Sequence, residues 1–362
     1  MSTIIGHDDI LRELRTLAAS ADPPHALLLA GPEGTGRRLL ALEYARLLNC
    51  ERRPGAPTPQ ASFLAEPNPP LAPDALPCGE CRPCRHIAEG NHPDVIILGP
   101  GDMLCRPRPG DSSHPAHPQS RDIRICQVRG VIDLVSRFPV EANYRMIVVD
   151  PADRFAREAA HTVLKTLEEP PGHTAFALIS AAPESIRETI LSRCRRLDVR
   201  TVPRAVIEAG LVERGIDPEA AAVAAEAARG RPGRAIAFAS RPDLMGDRGR
   251  LLEKCARVAQ SRAVERIRYA EELTDRWRRD RALVTPELDA WESFWEGRLR
   301  VAAPGGPGPA LASTLAALRA VNTARTDLQA NVMTRAAFEL MLLSFPRLTL
   351  EPPPQEEPAL HA

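Results

Sequence analysis

The tightest constraint on this chain is a strand, a glycine-rich loop and a helix in direct succession near its start. His25-Ala26-Leu27-Leu28-Leu29-Ala30 is a short apolar run that ends at glycine, which reads as a buried strand. Gly31-Pro32-Glu33-Gly34-Thr35-Gly36 follows as a turn, and Arg37 to Leu48 has helical spacing. The frame is that of a phosphate-binding loop, Gly, four residues, then Gly-Lys-Ser/Thr, and strand before and helix after are the context the motif requires. Backbone N–H groups at the head of such a helix can cradle an anion.

The alternation continues. Val95–Leu98, Met146–Val149, Ala175–Ser180 and Leu197–Val199 read as further strands. Helices are expected around 126–137, over 157–168 (ended by Pro170-Pro171) and over 186–192. Strands alternating with helices predict an α/β domain with a parallel sheet covered on both faces. After about residue 203 the pattern changes: 204–240 and 250–345 are helical and rich in Ala, Leu and Arg, interrupted by the linker Ala303-Pro304-Gly305-Gly306-Pro307-Gly308-Pro309. Proline is 36 of 362 residues, about twice the usual ~5%. Much of that excess falls in 51–77, expected as a loop, in an insertion at 105–120, and in a tail from Glu351 expected to be disordered.

Lys+Arg and Asp+Glu are 47 each, which excludes a generally polycationic nucleic-acid coat, though not a local basic patch. The chain has no apolar run of membrane-spanning length. Its start lacks a secretory pattern, so the expected compartment is the cytoplasm.

The phosphate loop departs from its motif in the side chains that do the chemistry. Arg37 stands where lysine reaches the β/γ phosphates, and Arg38 where a Ser/Thr hydroxyl binds Mg²⁺. The basic residues are almost all Arg, with only Lys165 and Lys254 as Lys, so Arg37 can reflect composition. Arg38 cannot, because a guanidinium has no lone pair for a metal. Asp150, at the end of the third strand, fits the carboxylate partner of the metal. The next position usually carries a Glu that prepares the attacking water, and here it is Pro151. Phosphoryl transfer rests on this positioning and electrostatics. The expectation is a nucleotide-binding fold that does not hydrolyse ATP.

Cys78-x2-Cys81-x2-Cys84 clusters three thiols, and Cys50 closes the loop helix. Four thiolates in a closed tetrahedron suit structural Zn²⁺. His86, His92 and Cys105 rival Cys50 as the fourth ligand. An iron–sulfur run would want a further Cys followed by Pro soon after Cys84, where Ala88 stands. Cys105, Cys126 and Cys255 read as isolated core or loop thiols, and Trp277, Trp291 and Trp295 as core.

Ser192-Arg193-Cys194 lies between a short helix and a strand. Spacing alone favours a solvated arginine, since Arg195 and Arg196 adjoin it. The functional alternative is an arginine finger supplied to a neighbour, worth on the order of 10³–10⁵ in rate.

Several stretches together resemble the delta-prime subunits of the bacterial DNA polymerase III clamp loader, within the AAA+ proteins. They are Ile5-Gly6-His7, His25-Ala26-Leu27-Leu28, the loop Gly31-Pro32-x-Gly34-x-Gly36, the Cys cluster and His92-Pro93-Asp94. Most specific are Leu164-Lys165-Thr166-Leu167-Glu168-Glu169-Pro170-Pro171 and Thr189-Ile190-Leu191-Ser192-Arg193-Cys194; Gly230-Arg231-Pro232-Gly233-Arg234-Ala235 and Asn331 to Leu343 are also similar. The resemblance is dense over 3–240 and thin beyond. The Cys50–Cys78 spacing is longer than the family's, and 105–120 is inserted.

The resemblance implies an AAA+ α/β domain over 1–202 with a degenerate phosphate loop and a four-cysteine zinc module at 50–84. It implies a helical lid at 203–245 and a helical collar at 246–350 through which five subunits assemble, with 351–362 as the tail. Arg193 would act on an ATP site of a neighbouring gamma/tau motor subunit. Arg234 matches the lid (sensor 2) arginine, Ser180 the sensor 1 position and Asp150 the Walker B aspartate. Gly31, Gly34, Gly36, Arg37, Asp150 and Arg234 would then line a nucleotide site that does not bind ATP/Mg²⁺ productively. Partners would be the gamma/tau and delta subunits and, through the complex, the sliding clamp and primer-template DNA. Two other readings compete: an active gamma/tau-type ATPase, and a zinc-containing DNA-binding module.

Overall fold

The computed structural model describes residues 4–20, 22–54, 71–101, 105, 120–305, 308–329 and 332–348. The expected tail from Glu351, most of the 105–120 insertion and much of the 51–77 loop lie outside these. The chain divides into two compact units, Met1–Ser240 and Arg241–Ala362.

The first unit runs α1 (Asp8–Ala19), β1 (Ala26–Ala30), α2 (Arg37–Asn49), α3 (Arg82–Glu89), β2 (Val95–Leu98), α4 (Ile125–Val135), β3 (Arg145–Val149), α5 (Arg157–Glu168), β4 (Thr174–Ser180), α6 (Glu188–Leu191) and β5 (Arg195–Asp198). It closes with α7 (Arg204–Val212), α8 (Pro218–Ala228) and α9 (Pro232–Ser240). The five strands form one parallel sheet in the order β2-β3-β4-β1-β5. The expected strands all form, β2 with the expected ends and the others with ends shifted by at most two residues.

The central strands β3, β4 and β1 are buried along their whole length because both faces are covered. Period-two alternation then sorts their side chains: Leu27 and Leu29 enter a core with α1, α2 and α3, while Ala26, Leu28 and Ala30 enter a second core with α4, α5 and α6. Edge strand β5 (Arg-Arg-Leu-Asp) buries only Leu197, as a strand with one free edge can.

The second unit is all helical: α10 (Pro242–Gln260), α11 (Ala263–Arg279), α12 (Thr285–Ala302), α13 (Pro309–Gln329) and α14 (Thr334–Leu343). Trp291 and Trp295 are fully buried in its core against Phe345, and Trp277 packs at its margin, so the tryptophans are core residues. Among the described residues no helix is long and apolar enough to cross a membrane.

Candidate functional site

The phosphate-type loop joins β1 to α2, and its glycines are required sterically. A Cβ on Gly31 would stand 2.0 Å from the Val199 carbonyl oxygen, where β5 runs alongside. Gly34 and Gly36 have φ of 81° and 99°, in the left-handed region glycine tolerates best. Three short sequence motifs converge here. His7 Nε2 bonds the Thr35 carbonyl at 2.8 Å, tying the Ile5-Gly6-His7 turn to the loop. Gly31 N donates to Ser180 O of β4. Gly233, at the head of α9, donates its N–H to Gly34 O at 2.9 Å, and a Cβ there would crowd the same oxygen at 3.0 Å. The α9 turn therefore abuts the loop, bringing the Arg231 and Arg234 Cβ atoms 3.6 and 3.7 Å from where a Gly34 Cβ would stand. The Arg234 guanidinium lies over the Phe238 ring.

The two arginines after Gly36 take different places. Arg37 is 8% exposed, and its Nη1 has no hydrogen-bond partner among the described residues. Burial lowers its pKa from the usual guanidinium value, opposed by the charges of Asp150, Glu33 and Asp153. Arg38 Nε donates to Asp150 Oδ2 at 2.6 Å. The carboxylate expected to face a metal thus faces a guanidinium. Ser180 is fully buried and donates to Asp153 at 2.8 Å, while its Oγ accepts from Ala182 N–H. That hydroxyl braces the turn after β3.

Cys50 caps the C-terminus of α2, while Cys78 and Cys81 precede α3 and Cys84 lies in its first turn. Their four sulfurs lie within 4.8 Å of one another, and Cys50, Cys81 and Cys84 are buried. Cys78 Sγ and Cys84 Sγ are 4.0 Å apart. Ligands about 2.3 Å from a tetrahedral zinc stand about 3.8 Å from each other, so the donors fit that ion in number, chemistry and spacing. Hydrogen bonds from the Cys81 and Cys84 thiols, then backbone N–H bonds from Cys78 and Arg52, pull the Cys50 thiol down to about 4 against the effect of burial. Cys84 is pushed up by the same network, sharing hydrogen bonds with Cys50 and Cys81. The rival ligands point elsewhere: His86 and His92 face Glu141, and Cys105 meets Cys126. The reading of Cys105 and Cys126 as isolated is therefore corrected, because the fold brings the two thiols together.

Arg193 follows α6 and lines an open depression of about 550 Å³ with His25, Leu167, Glu168 and Ser192. Its Nη1 donates to Thr189 O at 2.7 Å and to Ser192 Oγ at 3.2 Å, and its Nη2 pairs with Glu168 at the end of α5. His25 Nε2 bonds Leu167 O at 3.0 Å, holding the end of α5 against the start of β1.

His92-Pro93-Asp94 builds a support that the sequence did not disclose. Asp94 is fully buried and accepts the N–H groups of Val140, Glu141 and Ala142, along with Arg145 Nη2 at 2.9 Å. Arg145 also donates to Arg137 O and Phe138 O. One buried ion pair thereby fixes the loop between α4 and β3, leaving Phe138 and Val140 exposed.

Residues 6–203 match the family described as DNA polymerase III, delta subunit. The chain is 33% identical over 178 residues to DNA polymerase III subunit delta' of Pseudomonas aeruginosa, covering 49% of this chain and 44% of that protein. The chain belongs to the DNA polymerase III delta-prime family. Subunit tau of Bacillus subtilis is also similar, 29% identical over 60% of this chain and 31% of its own length. These matches span less than half of the curated relatives' lengths. A solved gamma subunit-related protein of Thermotoga maritima aligns over 92% of this chain and 98% of its own at 16% identity, with a TM-score of 0.38. The match to the delta-prime family ends where α7 begins, so it covers the sheet, the loop, the cysteines and Arg193. Sequence reasoning missed Glu168 as Arg193's partner and Asp94 as a loop anchor. Both lie within short motifs, Leu164 to Pro171 and His92-Pro93-Asp94, but their partners are 25 and 51 positions away.

Proposed function

We propose that this chain is the non-hydrolysing delta-prime subunit of a DNA polymerase III clamp loader, acting on ATP bound by a neighbouring motor subunit of the gamma/tau type. The observation that carries the reading is the Arg38–Asp150 pair. A hydrolytic site needs that carboxylate for the metal and a hydroxyl at position 38. Here the two positions neutralise each other, and Pro151 follows. The same pair argues against the active-motor reading.

In the proposed assembly Arg193, on the open face of the first unit, reaches the neighbour's terminal phosphate as a trans arginine finger. Residues 203–245 serve as the lid and 246–350 as the collar, and the complex with gamma/tau and delta subunits opens a sliding clamp and places it on primed DNA in the cytoplasm. Cys50, Cys78, Cys81 and Cys84 would hold a structural zinc, which supplies a cross-link between α2 and α3 and no chemistry at the nucleotide. The delta-prime membership favours this over an autonomous DNA-binding module, which zero net charge also disfavours.

The test is ATP turnover, measured on the purified chain with Mg²⁺ and primed DNA, and then on the complex reconstituted with its motor and delta subunits. The chain alone is expected to show none, and Arg193→Ala to lower the turnover of the complex while leaving the chain folded. Turnover by the chain alone, or an unaffected complex, overturns the reading.

A further inference from the structure

The depression around Arg193 holds a second charged group that the finger role does not account for. Glu168 closes α5 and pairs with Arg193 Nη2, while Nη1 is held by Thr189 O and Ser192 Oγ of the finger's own turn. The two ends of the guanidinium are thus held differently. One is fixed by uncharged groups of the turn; the other meets a carboxylate on a separate helix. Glu168 is about half exposed, so its side chain is free to swing away without disturbing the core. Its backbone is not free: the His25–Leu167 bond pins the end of α5 beside the depression.

We infer that Glu168 is a positioning residue that occupies Arg193 in the unassembled subunit and yields it to the terminal phosphate of the neighbour's nucleotide. This rests on the finger reading above. A phosphate and a carboxylate are both oxyanions that accept from the same N–H groups, and they cannot share Nη2 without repelling each other. The carboxylate keeps the guanidinium extended and neutralised, so other anions are weaker competitors until assembly delivers a more highly charged phosphate. It also weakens the finger's hold on that phosphate by the strength of the pair it breaks.

The experiment measures ATP turnover of the reconstituted complex against ATP concentration, with wild type, Glu168→Gln, Glu168→Ala, Arg193→Ala and the Glu168→Gln/Arg193→Ala double variant. Removing the competing charge is expected to lower the apparent KM for ATP about two- to fivefold, the range an exposed ion pair supports, with kcat within a factor of about two. The double variant is expected to match Arg193→Ala. If Arg193→Ala is impaired but the Glu168 variants raise KM or lower kcat as it does, Glu168 supports the finger and does not compete for it, and the inference falls alone. If Arg193→Ala leaves turnover unchanged, the finger reading falls and takes the inference with it. Thermal unfolding of each purified variant separates both results from misfolding.

Discussion

Arg38 and Asp150 stand 112 positions apart in the chain and 2.6 Å apart in space. The sequence motif would place a metal-binding oxygen at each, but together they form an internal ion pair with Asp150 mostly shielded from water. Arg37 lies beside them, buried, with Asp150 the largest contributor of opposite charge. The loop therefore keeps its glycine turns while the charge of Arg38 is paired from within and Arg37 Nη1 is left without a partner among the described residues.

Freeing Asp150 is expected not to create an ATPase. In Arg37→Lys combined with Arg38→Thr, the carboxylate no longer faces a guanidinium, but Pro151 still offers no group to orient water. Phosphate release by that variant alone should stay at background. Turnover approaching that of a motor subunit would show that the arginines alone silence the site.

The cysteine cluster predicts about one zinc per chain and none in Cys81→Ser. Because the ion would join the end of α2 to α3, its loss should lower the melting temperature of the first unit, by about 2–4 °C for each kcal/mol removed. Metal analysis and thermal unfolding with and without chelator check both. A wild-type chain with no metal, or with iron, would sink this assignment.

Asp94→Asn should be among the most destabilising single changes, about 3–5 kcal/mol, because it leaves Arg145 charged and buried without its counter-ion. Burial alone would raise the Asp94 pKa, but the backbone N–H groups of Glu141, Val140 and Ala142 and the Arg145 side chain outweigh it and hold it below the ordinary 3.8. A carboxyl depressed in the folded state stabilises fully above its unfolded value. That contribution is lost as pH falls from about 4 through the folded value. Denaturant unfolding from pH 3 to 7 should show wild type losing stability in acid more steeply than Asp94→Asn; parallel curves would exclude the linkage.

Gly31→Ala should cost about 1–3 kcal/mol or more, since the new methyl meets the Val199 carbonyl oxygen at 2.0 Å and a backbone must shift. Gly36, at the other end of the loop, has nothing within 4 Å of its Cβ position, so the strain of Gly36→Ala comes from its φ of 99° alone. Circular dichroism melts of the two variants should rank Gly31→Ala as the less stable; the reverse order contradicts the contact argument.

The alternation of strand and helix was legible because each is written in a local period. The short apolar run Ala-Leu-Leu-Leu-Ala, closed by glycine, reads as a buried strand, and Pro170-Pro171 ends α5 whatever surrounds it. The clustered cysteines were equally plain, since three share one short turn. Cys50 as the fourth required the fold, because three rivals lie closer to the cluster in sequence. The Trp residues were legible as core by size, but not which partners they stack on.

Side-chain pairing over long separations was not legible. The residues alone dictated a parallel α/β layer, a glycine loop stripped of its lysine and hydroxyl, and a thiol cluster, because propensity, apolar period and residue chemistry act over a few positions. That Asp150 meets Arg38, that Glu168 meets Arg193 and that Asp94 anchors the loop before β3 were decided by tertiary structure. Charged groups pair with whichever opposite charge the packing of helices on the sheet brings within a few ångströms, and that distance is set by the whole fold rather than by the neighbours of either residue.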